Sequence, residues 1–252
     1  MPEEWVVKPR PNPKARLRLF CFHSAGSGAS MFVPWAALLP GDVELNAIQL
    51  PGRENRLKEP PYKRIEPLLS DLDEIVFPLL DRPFAVFGIS MGGLIGFEFA
   101  RKLRQTYGIE PVHFFTASRR APQTPDPLPY IAHLPDTAFL EAIQARYNSI
   151  PELIWKDGEL MQLFLPLLRA DFSLLEAYAY QEEPQLDCPL TVMYGENDAT
   201  INEEGISGWH IHTRGRFTRQ RFSGGHFFPT GNSGPVVNYL VRQGLGSNGH
   251  MR

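Results

Sequence analysis

The sequence predicts an α/β fold: a mostly parallel sheet with helices on both faces. Three observations predict it. Short β-rich runs alternate with amphipathic segments along 252 residues, the pattern of strands joined by helical crossovers. Hydrophobic residues make up 43% of the chain, enough to fill one large core, so residues 1–252 are expected to form a single domain. Third, the apolar run Phe84-Ala85-Val86-Phe87 enters Gly88-Ile89-Ser90-Met91-Gly92, and the small-residue segment Gly93-Leu94-Ile95-Gly96 follows. That is strand, sharp turn and helix, with a serine at the apex.

Strands are expected at 17–22, 43–49, 84–88, 112–117, 190–194 and 217–222. Helices are expected between them. Residues 31–39 form one candidate, and 65–80 form another with apolar residues at helical spacing. A third, 91–104, follows the serine turn, and 235–242 closes the chain. The basic, proline-rich start (Lys8, Arg10, Lys14, Arg16, Arg18) and residues 244–252 read as loose termini.

The connection from 118 to 189 is about 70 residues long, far more than a crossover needs. It opens on a proline-rich turn, 122–129, and carries helical patterns at 136–147 and 159–180. Its stretch from Leu160 to Leu168 is apolar nearly all round, so protein or ligand must cover it, and Pro166 should kink it. Two readings stand: extra core helices, or a lid insertion over about 121–187 whose inner face lines an acyl chamber above Ser90. The chamber would be lined by Phe164, Leu165, Leu168 and Phe172, with Phe227.

Composition excludes several classes. A net charge of −3 is too near neutral for a nucleic-acid binder or a membrane-surface protein. No run of about 18 apolar residues occurs, and the acidic start has no secretory apolar core. The two cysteines, Cys21 and Cys188, could pair, but fit better as buried reduced thiols in a cytoplasmic protein. Metal-ligand spacing is absent; His210 and His212 read as surface histidines. Gly26-Ser27-Gly28 lacks the third glycine of a dinucleotide fingerprint, and Gln49 stands where an acid would end the second strand. No cofactor is expected.

A serine at such a turn needs a base, and the base an orienting acid, which follow it in the order acid then histidine. Strand 190–194 runs into Gly195-Glu196-Asn197-Asp198, and strand 217–222 into Ser223-Gly224-Gly225-His226. His226 is preferred to His23 for its chain order and glycine hinge; Asp198 is preferred to Glu196. Ser90 would attack an acyl carbonyl, His226 would relay the proton, and Asp198 would hold the imidazole. Backbone N–H donors for the oxyanion are expected from Met91 and, in the small-residue loop after the first strand, Ala25.

With these residues in place the chain resembles the type II thioesterases that accompany polyketide, nonribosomal peptide and fatty-acid synthases. The likeness runs from Leu19 to about Leu240. It is carried by Ala25-Gly26 with Ser30, Leu50-Pro51-Gly52-Arg53-Glu54-Asn55-Arg56, Phe87 to Gly93, Leu163 to Phe172, and Gly224-Gly225-His226-Phe227-Phe228. The resemblance implies an α/β-hydrolase fold with a helical lid, and hydrolysis of acyl groups from the phosphopantetheine thiol of a carrier protein. It puts the triad on Ser90, Asp198 and His226 and makes a monomer the default. Ile89 replaces a common histidine of the family, and Ser27-Gly28 stands where a second glycine normally follows Gly26; the first implies altered packing or acyl preference with intact chemistry. Arg53 and Arg56, in a basic stretch with Lys58, Lys63 and Arg64, could meet an acidic carrier-protein helix or simply be solvated. The rival functions are a carboxylesterase or lipase acting on free esters, an acyltransferase, and a non-catalytic carrier-binding protein.

Overall fold

A computed structural model describes residues 2–148, 150 and 157–246. Among them the sheet holds β1 (Val6–Val7), β2 (Leu17–Phe22), β3 (Val43–Ile48), β4 (Phe84–Ile89), β5 (Phe114–Ala117), β6 (Leu190–Gly195) and β7 (Phe217–Phe222). Their spatial order is β1-β3-β2-β4-β5-β6-β7. β1 runs antiparallel to β3, and the other neighbours are parallel. The chain steps from β2 outward to β3 and then returns across β2 to β4. The loops leaving β2 and β4 therefore flank a switch point, where α/β sheets open a crevice beyond the strand ends.

The main helices are α1 (Ile65–Val76), α2 (Met91–Tyr107), α3 (Asp136–Tyr147), α4 (Gly158–Ala177) and α5 (Ser233–Leu240). All residues of β2, β3 and β4 are buried, as strands covered on both faces must be. Alternation divides them. Phe20, Phe22 and Val86 pack under α1 and α2 with Leu68, Leu72, Leu94 and Phe99. Leu19, Cys21, Ala85 and Phe87 face the other way, against Phe32, Trp35, Val236 and Leu240. α1 buries Ile65, Leu68, Leu69, Leu72 and Val76, one helical stripe. α2 ends where Gly108 turns left-handed at φ 69°. α4 starts at Asp157, whose carboxylate accepts the Glu159 and Leu160 N–H groups.

Several expectations are corrected. Residues 31–39 are not α-helical; a 3-10 run spans Ala29–Ala37, with Pro34 removing the central N–H that an α-helix would use. The basic start is no loose terminus. Trp5 is buried, Val6 pairs with Ile48, and Arg18 is buried in β2 with Glu44 and Asp81 as ion partners. At the other end Leu245 is buried and its carbonyl accepts from Arg16; residues 247–252 lie outside the described residues. His212 is buried, its Nε2 2.6 Å from Gln123 Oε1. Burial, then the charges of Arg101 and His210, lower its pKa to about 4. Cys21 and Cys188 are buried free thiols.

α3 and α4 stand in the long β5–β6 connection, of which residues 149 and 151–156 lie outside the described residues. They enclose a third cluster of Ile131, Phe139, Leu140, Ile143, Ile150, Leu168 and Phe172. α4 is assigned without a break through Pro166. Its apolar surface is not covered all round: Leu163 is 54% exposed.

Arg53 and Arg56 face inward, which overturns their role in docking a partner. Arg53 is 3% exposed and grips Asp171 of α4 with both terminal nitrogens, at 2.9 and 2.8 Å. Arg56 stacks on Trp5 and bonds to the Gln49 carbonyl and to Glu59. These guanidiniums hold the fold's own loops and present nothing to solvent. Asp171→Ala should strand the Arg53 charge and lower the urea midpoint by an amount equal to about 3–5 kcal/mol. Joint replacement, Arg53→Met with Asp171→Leu, should recover part of that loss, because an apolar pair leaves no buried charge unpaired although the Gly26 N–H loses its acceptor.

Candidate active site

Ser90 sits between β4 and α2 with φ 53° and ψ −115°, a conformation a non-glycine residue adopts only under strain. Close packing imposes it. A Cβ on Gly88 would lie 2.1 Å from the Gly92 carbonyl oxygen, and one on Gly92 would lie 2.1 Å from that of Phe22. Strand, helix and the end of β2 thus meet backbone to backbone, as only glycine permits. The Ser90 N–H donates to Ala117 at 2.8 Å and its carbonyl accepts from Gly93 at 3.0 Å, so the turn is held from both sides.

The loops after β6 and β7 bring the other two groups to it. His226 Nε2 lies 2.9 Å from Ser90 Oγ, and His226 Nδ1 lies 2.9 Å from Asp198 Oδ2. With a carboxylate facing Nδ1, that nitrogen carries the proton and Nε2 is left to accept from the serine hydroxyl. Gly195 allows the two loops to cross: a Cβ there would come within 2.3 Å of the Gly225 carbonyl oxygen. The rivals stand apart. Glu196 is exposed, and His23 turns its Nδ1 to the Ser24 carbonyl at 2.8 Å. Burial and the Arg53 charge lower the pKa of His23 to about 3, so its ring is neutral.

Thr200 was not foreseen. Its N–H and hydroxyl donate to Asp198 Oδ1 at 3.0 and 2.7 Å, and its Oγ1 also lies 2.9 Å from His226 Nδ1. Its position two residues after the acid is the local signal, since Asp side chains commonly accept from a backbone two residues on. Burial pushes the Asp198 carboxyl upward, but the hydrogen bonds from His226 and Thr200 outweigh it and hold the pKa below the ordinary value. Ser118, at φ 51°, donates from Oγ to the His226 carbonyl at 2.6 Å and fixes the histidine backbone. Tyr147 and Phe227 both stand edge-on to the imidazole, centroids 4.9 Å away.

Met91 is the first residue of α2, so its N–H has no partner within the helix. In the loop after β2 the Gly26 N–H goes to Asp171 Oδ2 and the Ser27 N–H to the Ser24 carbonyl. Ala25 immediately precedes these two residues and lines the same crevice as Ser90 and His226.

Two cavities meet at Ser90 and His226. One, of about 210 Å³, is polar, with Arg119, Tyr147, Glu176 and Tyr178 on its walls. The other, of about 20 Å³, is lined mostly by apolar side chains: Ile143, Leu168, Phe172, Leu175 and Phe227. Leu168, Phe172 and Phe227 thus line this small cavity. Phe164 and Leu165 line neither cavity; they pack on the cluster between α3 and α4. Among the described residues no group of three metal-ligating side chains occurs, and no helix is long and apolar enough to cross a membrane.

The Thr200 hydroxyl favours the charged Asp198, and the folded-state pKa is depressed. Its contribution is therefore present above the unfolded carboxyl value of about 3.9 and lost as pH falls through the folded one. Thr200→Val should cost about 1 kcal/mol at pH 7, and urea melts should show that difference shrinking toward pH 3.

The thioesterase domain family matches residues 17–242. The linear gramicidin dehydrogenase LgrE of Brevibacillus parabrevis is 41% identical over 230 residues, 90% of this chain and 87% of that protein. The gramicidin S biosynthesis protein GrsT of Aneurinibacillus migulanus is 38% identical over 240 residues, covering 95% and 93%. Among solved structures, the type II thioesterase BorB from the borrelidin biosynthetic cluster superposes with a TM-score of 0.85 at 30% identity, covering 94% and 96%. Gln49, where a ribose-binding acid would stand, instead accepts from the Ala29 N–H and donates to the Arg53 carbonyl. Matched across most of its length by that family and carrying a serine, a histidine and an acid in hydrogen-bonded sequence, the chain belongs to the thioesterases.

Proposed function

We propose that Ser90, His226 and Asp198 act as nucleophile, base and orienting acid in hydrolysing acyl groups from the phosphopantetheine thiol of a carrier protein. The observation that carries this reading is the pair of 2.9 Å contacts that link the three side chains. Ser90 Oγ attacks the thioester carbonyl carbon while its proton passes to His226 Nε2. The oxyanion forms between the Met91 and Ala25 N–H groups, where each donor supplies on the order of 3 kcal/mol of transition-state stabilisation. The C–S bond breaks, and His226 returns the proton to the departing thiolate. Water then attacks the acyl-serine, giving its proton to His226, and the free acid leaves as Ser90 is reprotonated.

A further similar structure, YbtT, is a type II thioesterase from the yersiniabactin NRPS/PKS biosynthetic pathway, which supports a place for this chain beside a nonribosomal peptide or polyketide synthase. A cytoplasmic monomer that meets its partner through the arm on the carrier is consistent with this reading. Helices α3 and α4 serve as the lid. A thiolate is a good leaving group, so no metal is required.

Thiol release from an acyl-loaded carrier protein tests the reading directly. Ser90→Ala and His226→Ala should each lower kcat by about 10⁴-fold or more, and the double variant should fall little further, because the residues act as one unit. Multiplicative losses would break the triad assignment. A matched oxygen ester cleaved in preference to the thioester would make the protein an esterase instead.

A further inference from the structure

Arg119 follows β5 and lines the larger cavity together with Ser90 and His226, yet it is only 9% exposed. Its Nε is buried with no hydrogen-bond partner, and among the described residues its guanidinium forms no ion pair. The neighbouring charges on the cavity wall are already engaged. Arg120 holds Asp126, Arg146 donates to the Pro129 carbonyl, and Glu176 accepts the N–H groups of Ile131 and Ala132. The aliphatic stem of Arg119 lies over the first turn of α2: a Cβ on Gly93 would meet its Cβ at 3.1 Å and its Cγ at 3.4 Å. The stem is thus anchored at the first turn of a 17-residue helix, one turn from the nucleophile. Burial and then the Arg120 charge lower the pKa of Arg119 to about 10, so it remains charged at neutral pH. Buried donors left without acceptors cost stability. The Arg119 Nε–H is such a donor, and it points to an acceptor that arrives with the substrate.

We propose that Arg119 receives the amide carbonyl nearest the sulfur on the pantetheine arm, so that the polar cavity holds the arm and the small apolar pocket the acyl group. This rests on the reading of the site as a carrier-thioester hydrolase. Size and polarity assign the two ends. The arm, with its amides and hydroxyl, is long and polar and needs the cavity of about 210 Å³; the pocket of about 20 Å³ is walled by Ile143, Leu168, Phe172 and Phe227. The arm's phosphate lies at its far end and cannot reach a side chain one helical turn from Ser90. The carbonyl of the first amide is the nearest acceptor beyond the sulfur. A neutral acceptor also suits a cavity already bounded by the Asp126 and Glu176 carboxylates. Arg119 is then a positioning residue for the leaving-group side of the substrate.

The test uses the full chain and two thioesters of one acyl group. One carries N-acetylcysteamine, which retains that amide, and the other pentanethiol, its apolar isostere. Each kcat/KM is divided by the hydroxide-catalysed rate of the same compound. The wild type should prefer the amide-bearing thioester by about tenfold or more, the effect of one hydrogen bond from a charged donor. Arg119→Met should bring that preference close to one, and Arg119→Lys should keep part of it. Equal slowing of both thioesters by Arg119→Met would overturn the assignment in favour of a structural role. So would a penalty that follows a carboxylate on the acyl group (succinyl against butyryl) whichever thiol is used. If Arg119→Met does not fold, the wild type alone decides, since absence of any preference there refutes recognition of the amide. Failure to cleave any thioester would instead overturn the functional reading, and the Arg119 assignment with it.

Discussion

The carboxylate of Asp171 joins three parts of the chain that no sheet hydrogen bond connects. It sits on α4, accepts both terminal nitrogens of Arg53 from the loop after β3, and accepts the Gly26 N–H from the loop after β2. Arg53 in turn donates to the Ser27 and Pro51 carbonyls. A buried ion pair is favourable only when its remaining hydrogen-bonding capacity is filled, and here both carboxylate oxygens are engaged. The consequence is geometric. Ala25 precedes Gly26, so the peptide that follows the proposed oxyanion donor is held by a residue of α4, a helix whose Leu168 and Phe172 line the crevice. On the proposed reading, the lid helix and the oxyanion loop are one assembly.

Parts of this were legible in the sequence because their signals are local. β2 and β7 fall where alternating apolar and β-prone residues place them, and α3 spans the residues its pattern marks. The serine turn, Asp198 and His226 are readable from glycines that flank strand ends, a signal a few residues long. What was not legible depends on partners far along the chain. Arg53 and Arg56 look like a solvated basic run until Asp171, 118 residues from Arg53, and Trp5 supply their environment. Hydrophobic periodicity marks the apolar face of α4 but not what covers it. Hence Leu168 and Phe172 reach the crevice, Phe164 and Leu165 stop in the cluster beside it, and Leu163 faces solvent. Tyr147, edge-on to His226, carried no sequence signal at all.

The register of α4 links acyl fit to chemistry. With Asp171 pinned by Arg53, the residues one turn either way, Leu168 and Leu175, and the adjacent Phe172 are held toward the small pocket. Leu168 also presses on the oxyanion loop: a Cβ on Gly26, at φ 70°, would lie 2.7 Å from Leu168 Cδ2. A larger side chain at 168 cannot fill the pocket without displacing Gly26, and Gly26 cannot move without straining its bond to Asp171. A smaller one would widen the pocket and remove the wall against which that loop rests. On the proposed reading acyl size and oxyanion geometry are therefore set by one contact, and the first can be tuned independently through walls that do not touch the loop, such as Ile143 on α3.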